Sequence, residues 1–311
     1  EANNPVFLFR VDTDYSDAST IEQLYRLAER YGLRFTWFLH VEAHREWIYS
    51  FKEMRNQELA LHGYEHAFSD SFEKNTNNIL SAARVLKAEN LSFTGYCAPY
   101  GIWSPGLGKA IDKTGLEYSS EFTLSYDDLP FHPLKNGKLY DHLQIPVHPV
   151  CTGSFSRKHG TSDQMINYFD AVINQKVDNG EPVVLYHHPM QKNWDVLEFI
   201  FSKVRELKLN SLSFSDFASY WKKRNLKTLS VYFDGAKLNF EGDDQPVQIR
   251  YPDRYCEIAV GTSDSVSLSD LHYQSIPETA LIEKKEFKKL KTASLKEIKW
   301  SLQDRLRRHR L

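Results

Sequence analysis

The feature that most constrains this fold is a repeated change of hydrophobic period along the first two thirds of the chain. Short apolar runs alternate with segments whose apolar residues recur at helical spacing. Such a rhythm folds as strand and helix in turn, around a parallel sheet or barrel. Val6-Phe-Leu-Phe-Arg-Val-Asp12 predicts a short buried strand. Ile21, Leu24, Tyr25, Leu27 and Ala28 then share one face of a helix that Gly32 ends. Further strands are expected at Arg34–His40, Glu58–His62, Thr94–Cys97, Leu143–His148 and Pro182–His187. Helices are expected over Glu42–Met54, Asn78–Ala88, 163–178 and 194–207, and Leu212–Trp221 reads as a last strand running into a helix. Units repeating this often within roughly 220 residues fit a (β/α) barrel better than an open sheet, and in barrels the chemistry gathers where strands end and loops begin.

The pattern changes after Arg224. Leu229–Phe233, Ala236–Phe240, Val247–Tyr251 and Tyr255–Val260 are short alternating segments separated by Gly and Asp turns, which predicts a small antiparallel β unit. Lys284–Leu311 reads as a charged helical tail ending in the basic run Arg305–Arg310. The expected division is therefore a barrel over 1–225 and a β unit with its tail over 226–311.

Bulk properties narrow the function. A net charge of −2 carries no general signal for nucleic acid. No window is long and apolar enough for a transmembrane segment. Aromatics make up 14%, which suits a cleft that stacks on sugar rings and equally suits a Tyr- and Phe-rich core. Cys97, Cys151 and Cys256 form no disulfide framework, which favours a cytoplasmic location. Because the chain begins at Glu1 rather than Met, a removed signal peptide and a secreted or periplasmic location stay open.

Two motifs carry chemistry. In His62-Gly-Tyr-Glu-His66 the histidines are four apart just past a strand, so they converge on one metal ion if the loop turns helically. The plain alternative is a pair of polar loop histidines. In Arg10-Val-Asp12-Thr-Asp14 two carboxylates end an apolar strand on one side. Buried carboxylates need a cation, a metal or hydrogen bonds. One of them would ligate a metal with the histidines while the other serves as general base. Against this, Asp14 or Asp17 could simply cap the following helix. Two His and one carboxylate also occur in non-haem iron oxygenases, though on a different scaffold.

These motifs, with others in order after them, resemble the polysaccharide deacetylase family, carbohydrate esterase family 4. The closest likeness is to the branch whose first motif is Asp-x-Asp. The resemblance spans about residues 6–222 and includes Arg34-Phe-Thr-Trp-Phe-Leu, Ala98-Pro-Tyr-Gly101, Tyr118-Ser-Ser-Glu-Phe with Asp127-Asp-Leu-Pro130, Gln144-Ile-Pro-Val and Val184-Leu-Tyr-His-His-Pro189. It implies a distorted (β/α) barrel that hydrolyses the N-acetyl group of a sugar in a polysaccharide or its precursor. It implies Asp12 as general base toward a metal-bound water. Asp14, His62 and His66 would be ligands to Zn2+ or another divalent transition metal. The turn at Pro99 and the Tyr100 amide would hold the oxyanion. The general acid is a late histidine: Leu-x-His spacing selects His187 and the His-Pro pairing selects His188, with the balance toward His188. Trp103, Glu121 and His148 are candidates for the cleft wall or for plain packing. The sequence departs from the family at Cys97, where the third motif has Arg. Arg10, two residues before Asp12 on the same strand face, is expected to take over part of that role. The competing readings are a hydrolase of small-molecule amides and a catalytically weakened carbohydrate-binding protein.

Overall fold

The computed structural model describes residues 5–123, 129–157 and 160–275; Asp127, Asp128 and the expected helical tail lie outside these. Strands β1 (Val6–Asp12), β2 (Thr36–Leu39), β3 (Glu58–Leu61), β4 (Gly95–Tyr96) and β5 (Tyr118–Ser119) are followed by a hairpin, β6 (Leu134–Lys135) and β7 (Lys138–Leu139). Then come β8 (Leu143–Gln144), β9 (Val183–His187) and β10 (Asn210–Ser211). The helices are α1 (Ala18–Tyr31), α2 (Val41–His44), α3 (Phe72–Ala88), α4 (Pro105–Thr114), α5 (Thr152–Arg157), α6 (Ser162–Asp178), α7 (Trp194–Glu206) and α8 (Phe214–Leu226).

All pairings of the main sheet are parallel. β1 lies between β2 and β9, with β10 beside its first residues, and the order continues through β3, β4 and β5 to β8. The ring is drawn together where the His148 N–H donates to the Val184 carbonyl of β9 at 2.8 Å. The result is a distorted (β/α) barrel, with β1 shielded on both faces; Phe7, Leu8, Phe9 and Val11 are all buried. At the far end from the site, Glu58 accepts from Thr36 Oγ1 at 2.7 Å, from Tyr118 Oη at 2.8 Å and from the Ser215 N–H at the start of α8 at 3.1 Å. A helix N-terminus offers free N–H groups and partial positive charge, so this buried carboxylate is satisfied there.

Local chemistry explains the borders. Asp17, not Asp14, caps α1, accepting from the Thr20 N–H at 2.8 Å, and Gly32 ends the helix at φ 62. Asp14 is thereby left for the strand end. The long helix expected over Glu42–Met54 is instead the short α2 followed by a 3-10 turn at Ile48–Glu53. Here the tertiary neighbours override propensity: His44 Nε2 is tied to Thr13 Oγ1 at 2.8 Å, and Trp47 stacks on Phe51 with ring centroids 5.4 Å apart. α3 begins earlier than expected because Ser71 supplies its cap. β4 and β8 are shorter than their apolar runs, since only two residues of each pair on the sheet.

The chain divides into two compact units, and the second starts at Ser219 within α8. It carries β11 (Leu229–Phe233), β12 (Lys237–Gly242), β13 (Gln245–Arg250), β14 (Arg254–Val260), β15 (Ser263–Ser267) and β16 (Gln274–Ser275). These form two antiparallel three-stranded sheets, β11–β12–β15 and β13–β14–β16. Among the described residues no helix is long and apolar enough to cross a membrane.

Candidate metal and acid–base site

β1 delivers Asp12, Thr13 and Asp14 to one end of the barrel, and the three side chains separate. Asp12 is buried, and its Oδ2 meets Arg10 Nη2 at 2.7 Å. The Arg10 guanidinium also donates to the Ser120 carbonyl and, at 3.2 Å, to Ser120 Oγ, and it lies 4.9 Å over the Tyr186 ring. Asp12 Oδ1 is buried with no hydrogen-bond partner among the described residues. Thr13 turns away: its hydroxyl donates to the Phe38 carbonyl at 3.0 Å and accepts from the His40 N–H at 3.1 Å. Asp14 adopts φ 41, a left-handed conformation that Asp tolerates better than most residues. That twist carries its carboxylate to the histidines.

Asp14 Oδ1 stands 3.2 Å from His62 Nε2 and 3.3 Å from His66 Nε2. The three ligand atoms all lie within 4.8 Å of one another. His62 Nδ1 faces the Cys97 carbonyl at 2.8 Å, so that nitrogen carries the proton and Nε2 presents its lone pair to the cluster. His66 Nδ1 meets Tyr100 Oη at 3.2 Å. Ligands at tetrahedral zinc distances are separated by roughly 3.3 Å, which both Asp14–His separations match, so the donor set suits a divalent transition metal. Asp14 Oδ1, buried and without a conventional hydrogen bond, is the kind of atom a cation would satisfy. The turn between the histidines needs Gly63, whose φ is 89 and whose added Cβ would lie 2.9 Å from both Asn78 Nδ2 and the Glu65 carbonyl. Asn78, from α3, fixes that turn by accepting the Tyr64 and Glu65 N–H groups, both at 2.8 Å.

The two late histidines are separated by strand alternation. His188 Nε2 lies 3.7 Å from Asp12 Oδ2 and 3.8 Å from Asp14 Oδ2. Its Nδ1 is 3.1 Å from Gln191 Nε2, and Cys151 lies beside the imidazole. Burial opposes its protonated form, but the Asp14 charge and the Cys151 contact outweigh it and raise the imidazole to about 9. His187 points the other way. It is fully buried, Nδ1 meets Thr152 Oγ1 at 3.0 Å, and burial lowers its imidazole to about 3.

The loop after β4 carries the remaining candidates. Pro99 opens a tight turn, and Tyr100 takes φ 64 with its ring 41% exposed over His66. Glu121 does not face outward; its buried carboxylate holds the Ala98 N–H at 3.0 Å and Ser119 Oγ at 2.8 Å. Trp103 packs against Phe122 and Tyr140. His148 is buried against Tyr168, with Nε2 2.8 Å from its hydroxyl. Cys97 is wholly buried, donates to the Ser120 carbonyl at 3.2 Å, and is pushed up by burial, so it is a neutral thiol. Arg10 and Cys97 thus share the Ser120 carbonyl as acceptor.

Sequence reasoning missed Cys151, Tyr186 and Gln191. Tyr186 was detectable, because it precedes His188 by two on a strand and so shares its face. Gln191 follows His188 by three residues in the turn Pro189–Gln191, whereas Cys151 lies in no periodic element that leads to the site, and only the fold brings it there.

No protein-family model and no curated protein matches this sequence. Solved structures do match the fold. A chain from Mycobacterium smegmatis assigned as a polysaccharide deacetylase has a TM-score of 0.63 at 17% identity, over 75% of this chain and 95% of that one. The Puue allantoinase gives 0.59 at 15% identity, over 73% and 93%. A chain from Pseudomonas aeruginosa PAO1 assigned as a polysaccharide deacetylase gives 0.56 at 16% identity, over 70% and 91%.

Proposed function

We propose that this chain, which has the polysaccharide deacetylase fold, hydrolyses the N-acetyl group of an N-acetylated sugar in a polysaccharide or its precursor. The observation that carries this reading is the meeting, at one end of the barrel, of Asp14, His62 and His66 with an Arg10-held Asp12 and with His188. Asp14, His62 and His66 would hold zinc or another divalent transition metal, which when bound polarises the acetyl carbonyl and makes water a better nucleophile.

The protein's own groups account for the proton traffic. Asp12 Oδ2 is fixed by Arg10, while Oδ1 has no hydrogen-bond partner among the described residues and is available to take a proton from the attacking water. Oxygen adds to the carbonyl carbon, and the backbone N–H of Tyr100, in the turn that Pro99 opens, is the donor for the developing oxyanion. As the C–N bond breaks, His188 Nε2–H gives a proton to the departing amine, leaving acetate and a free amino sugar. The test is acetate release from N-acetylated oligosaccharides by metal-stripped protein, with and without added zinc. Zinc-dependent release that is lost in Asp14→Ala is the expected result; no release together with no zinc binding would remove the reading.

A second reading, hydrolysis of a small-molecule amide, is supported by the likeness to an allantoinase at a TM-score of 0.59. The same assay run on small N-acyl compounds and ureides separates the two.

A further inference from the structure

The second unit carries an edge strand with none of the usual protections. β11 pairs with β12 on one side, and among the described residues nothing pairs with its other side. Its sequence, Leu229-Ser-Val-Tyr-Phe233, has no charge, no proline and no glycine. Val231 is 49% exposed, Tyr232 55% and Phe233 60%. The other edges of the unit are blunted: β13 contains Pro246 and Arg250, β15 contains Asp264, and β16 has two residues. Sheets ordinarily protect an edge by such means, because a bare one recruits another strand.

Two hydrogen bonds set the phase of β11. The Asp243 N–H donates to the Thr228 carbonyl at 2.9 Å, and the Asp234 N–H donates to the Lys237 carbonyl at 3.2 Å. Even-numbered residues therefore turn their backbone groups toward β12, and Leu229, Val231 and Phe233 turn theirs outward. That outward set is symmetric about Val231. We propose that β11 is the contact of a two-fold dimer, pairing antiparallel with β11 of a second copy of this chain, centred on Val231. In that register Val231 faces Val231, and Leu229 faces Phe233, so three residues of each copy exchange N–H and C=O groups across the axis. The facing side chains are apolar pairs. The same short segment thus supplies matching hydrogen bonds and apolar pairs to itself. A single strand pair is a small interface, so the dimer is concentration-dependent in the micromolar range, around 1–100 µM.

Sedimentation velocity on the full chain, across that range of concentration, tests this. The expected result is a shift from the 36.2 kDa monomer to twice that mass. Val231→Pro removes an outward N–H and leaves the ladder to β12 intact, as edge strands permit. Val231→Lys keeps the backbone and sets two ammonium groups against each other at the axis. Each variant is expected to weaken association at least about tenfold, with unchanged far-ultraviolet circular dichroism. If Val231→Pro fails to fold, Val231→Lys still decides. A wild-type chain that stays monomeric at the highest concentration overturns the proposal, as does a dimer that persists in a folded variant.

Discussion

The Arg10 guanidinium meets the Asp12 carboxylate at 2.7 Å from two positions earlier on the same strand, with both side chains almost wholly buried. Arg10→Ala would leave that carboxylate buried without its cation. Removing one partner of a buried pair costs roughly 3–5 kcal/mol, so urea unfolding should show a loss of that size. Turnover should fall as well, and Arg10→Lys, which restores the charge, should recover part of both. An Arg10→Ala enzyme with unchanged turnover and pH profile would show that Arg10 does not serve Asp12.

Metal binding should depend on each of the three clustered ligands. Asp14→Ala, His62→Ala and His66→Ala should each weaken zinc affinity by more than about 100-fold, since even changes to the groups behind a ligand cost 10–100-fold. Isothermal titration of metal-stripped protein reads this directly, without an assay for turnover. Retention of wild-type affinity in any of the three would remove that residue from the site.

The adjacent histidines should behave oppositely. His188→Ala should lower acetate release by about 10²–10⁴-fold with little change in unfolding free energy, as expected for loss of a general acid. His187→Ala removes a fully buried ring stacked on Phe9, so it should lower stability by more than it lowers turnover measured well below the melting temperature. Swapped effects would assign the acid to His187.

Buried neutral histidines should make the protein acid-sensitive. Burial, reinforced by the Lys176 charge, lowers His148 to about 3. Unfolded, its value is about 6.5, so the unfolded chain binds the extra proton between these limits. The stability contributed by neutral His148 is complete above about pH 6.5 and is lost as pH falls toward 3, at up to about 1.4 kcal/mol per pH unit. His187, lowered in the same way, adds to that slope. His148→Gln, neutral throughout, should flatten the dependence of unfolding free energy on pH between 6 and 4 by up to that amount. An unaltered slope would mean that His148 does not stay neutral in the fold.

Side-chain period by itself determined the alternation of strands and helices, and hence the barrel and the antiparallel unit after it. It determined this because a period of two or of 3.6 is set within a few residues, before any distant contact is made. For the same reason, the Asp-x-Asp and His-x-x-x-His spacings were legible as groups that could share one face. The tertiary structure decided which of these groups meet. Asp17 takes the helix cap and frees Asp14, the twist after β1 turns Asp14 toward His62 and His66, and strand alternation sends His188 to the carboxylates and His187 into the core. It also brought Cys151 and Ser120 to residues far away in sequence, and it drew Glu121 inward to hold the Ala98 N–H. Those outcomes depend on register and closure between strands separated by many residues, which no local spacing encodes.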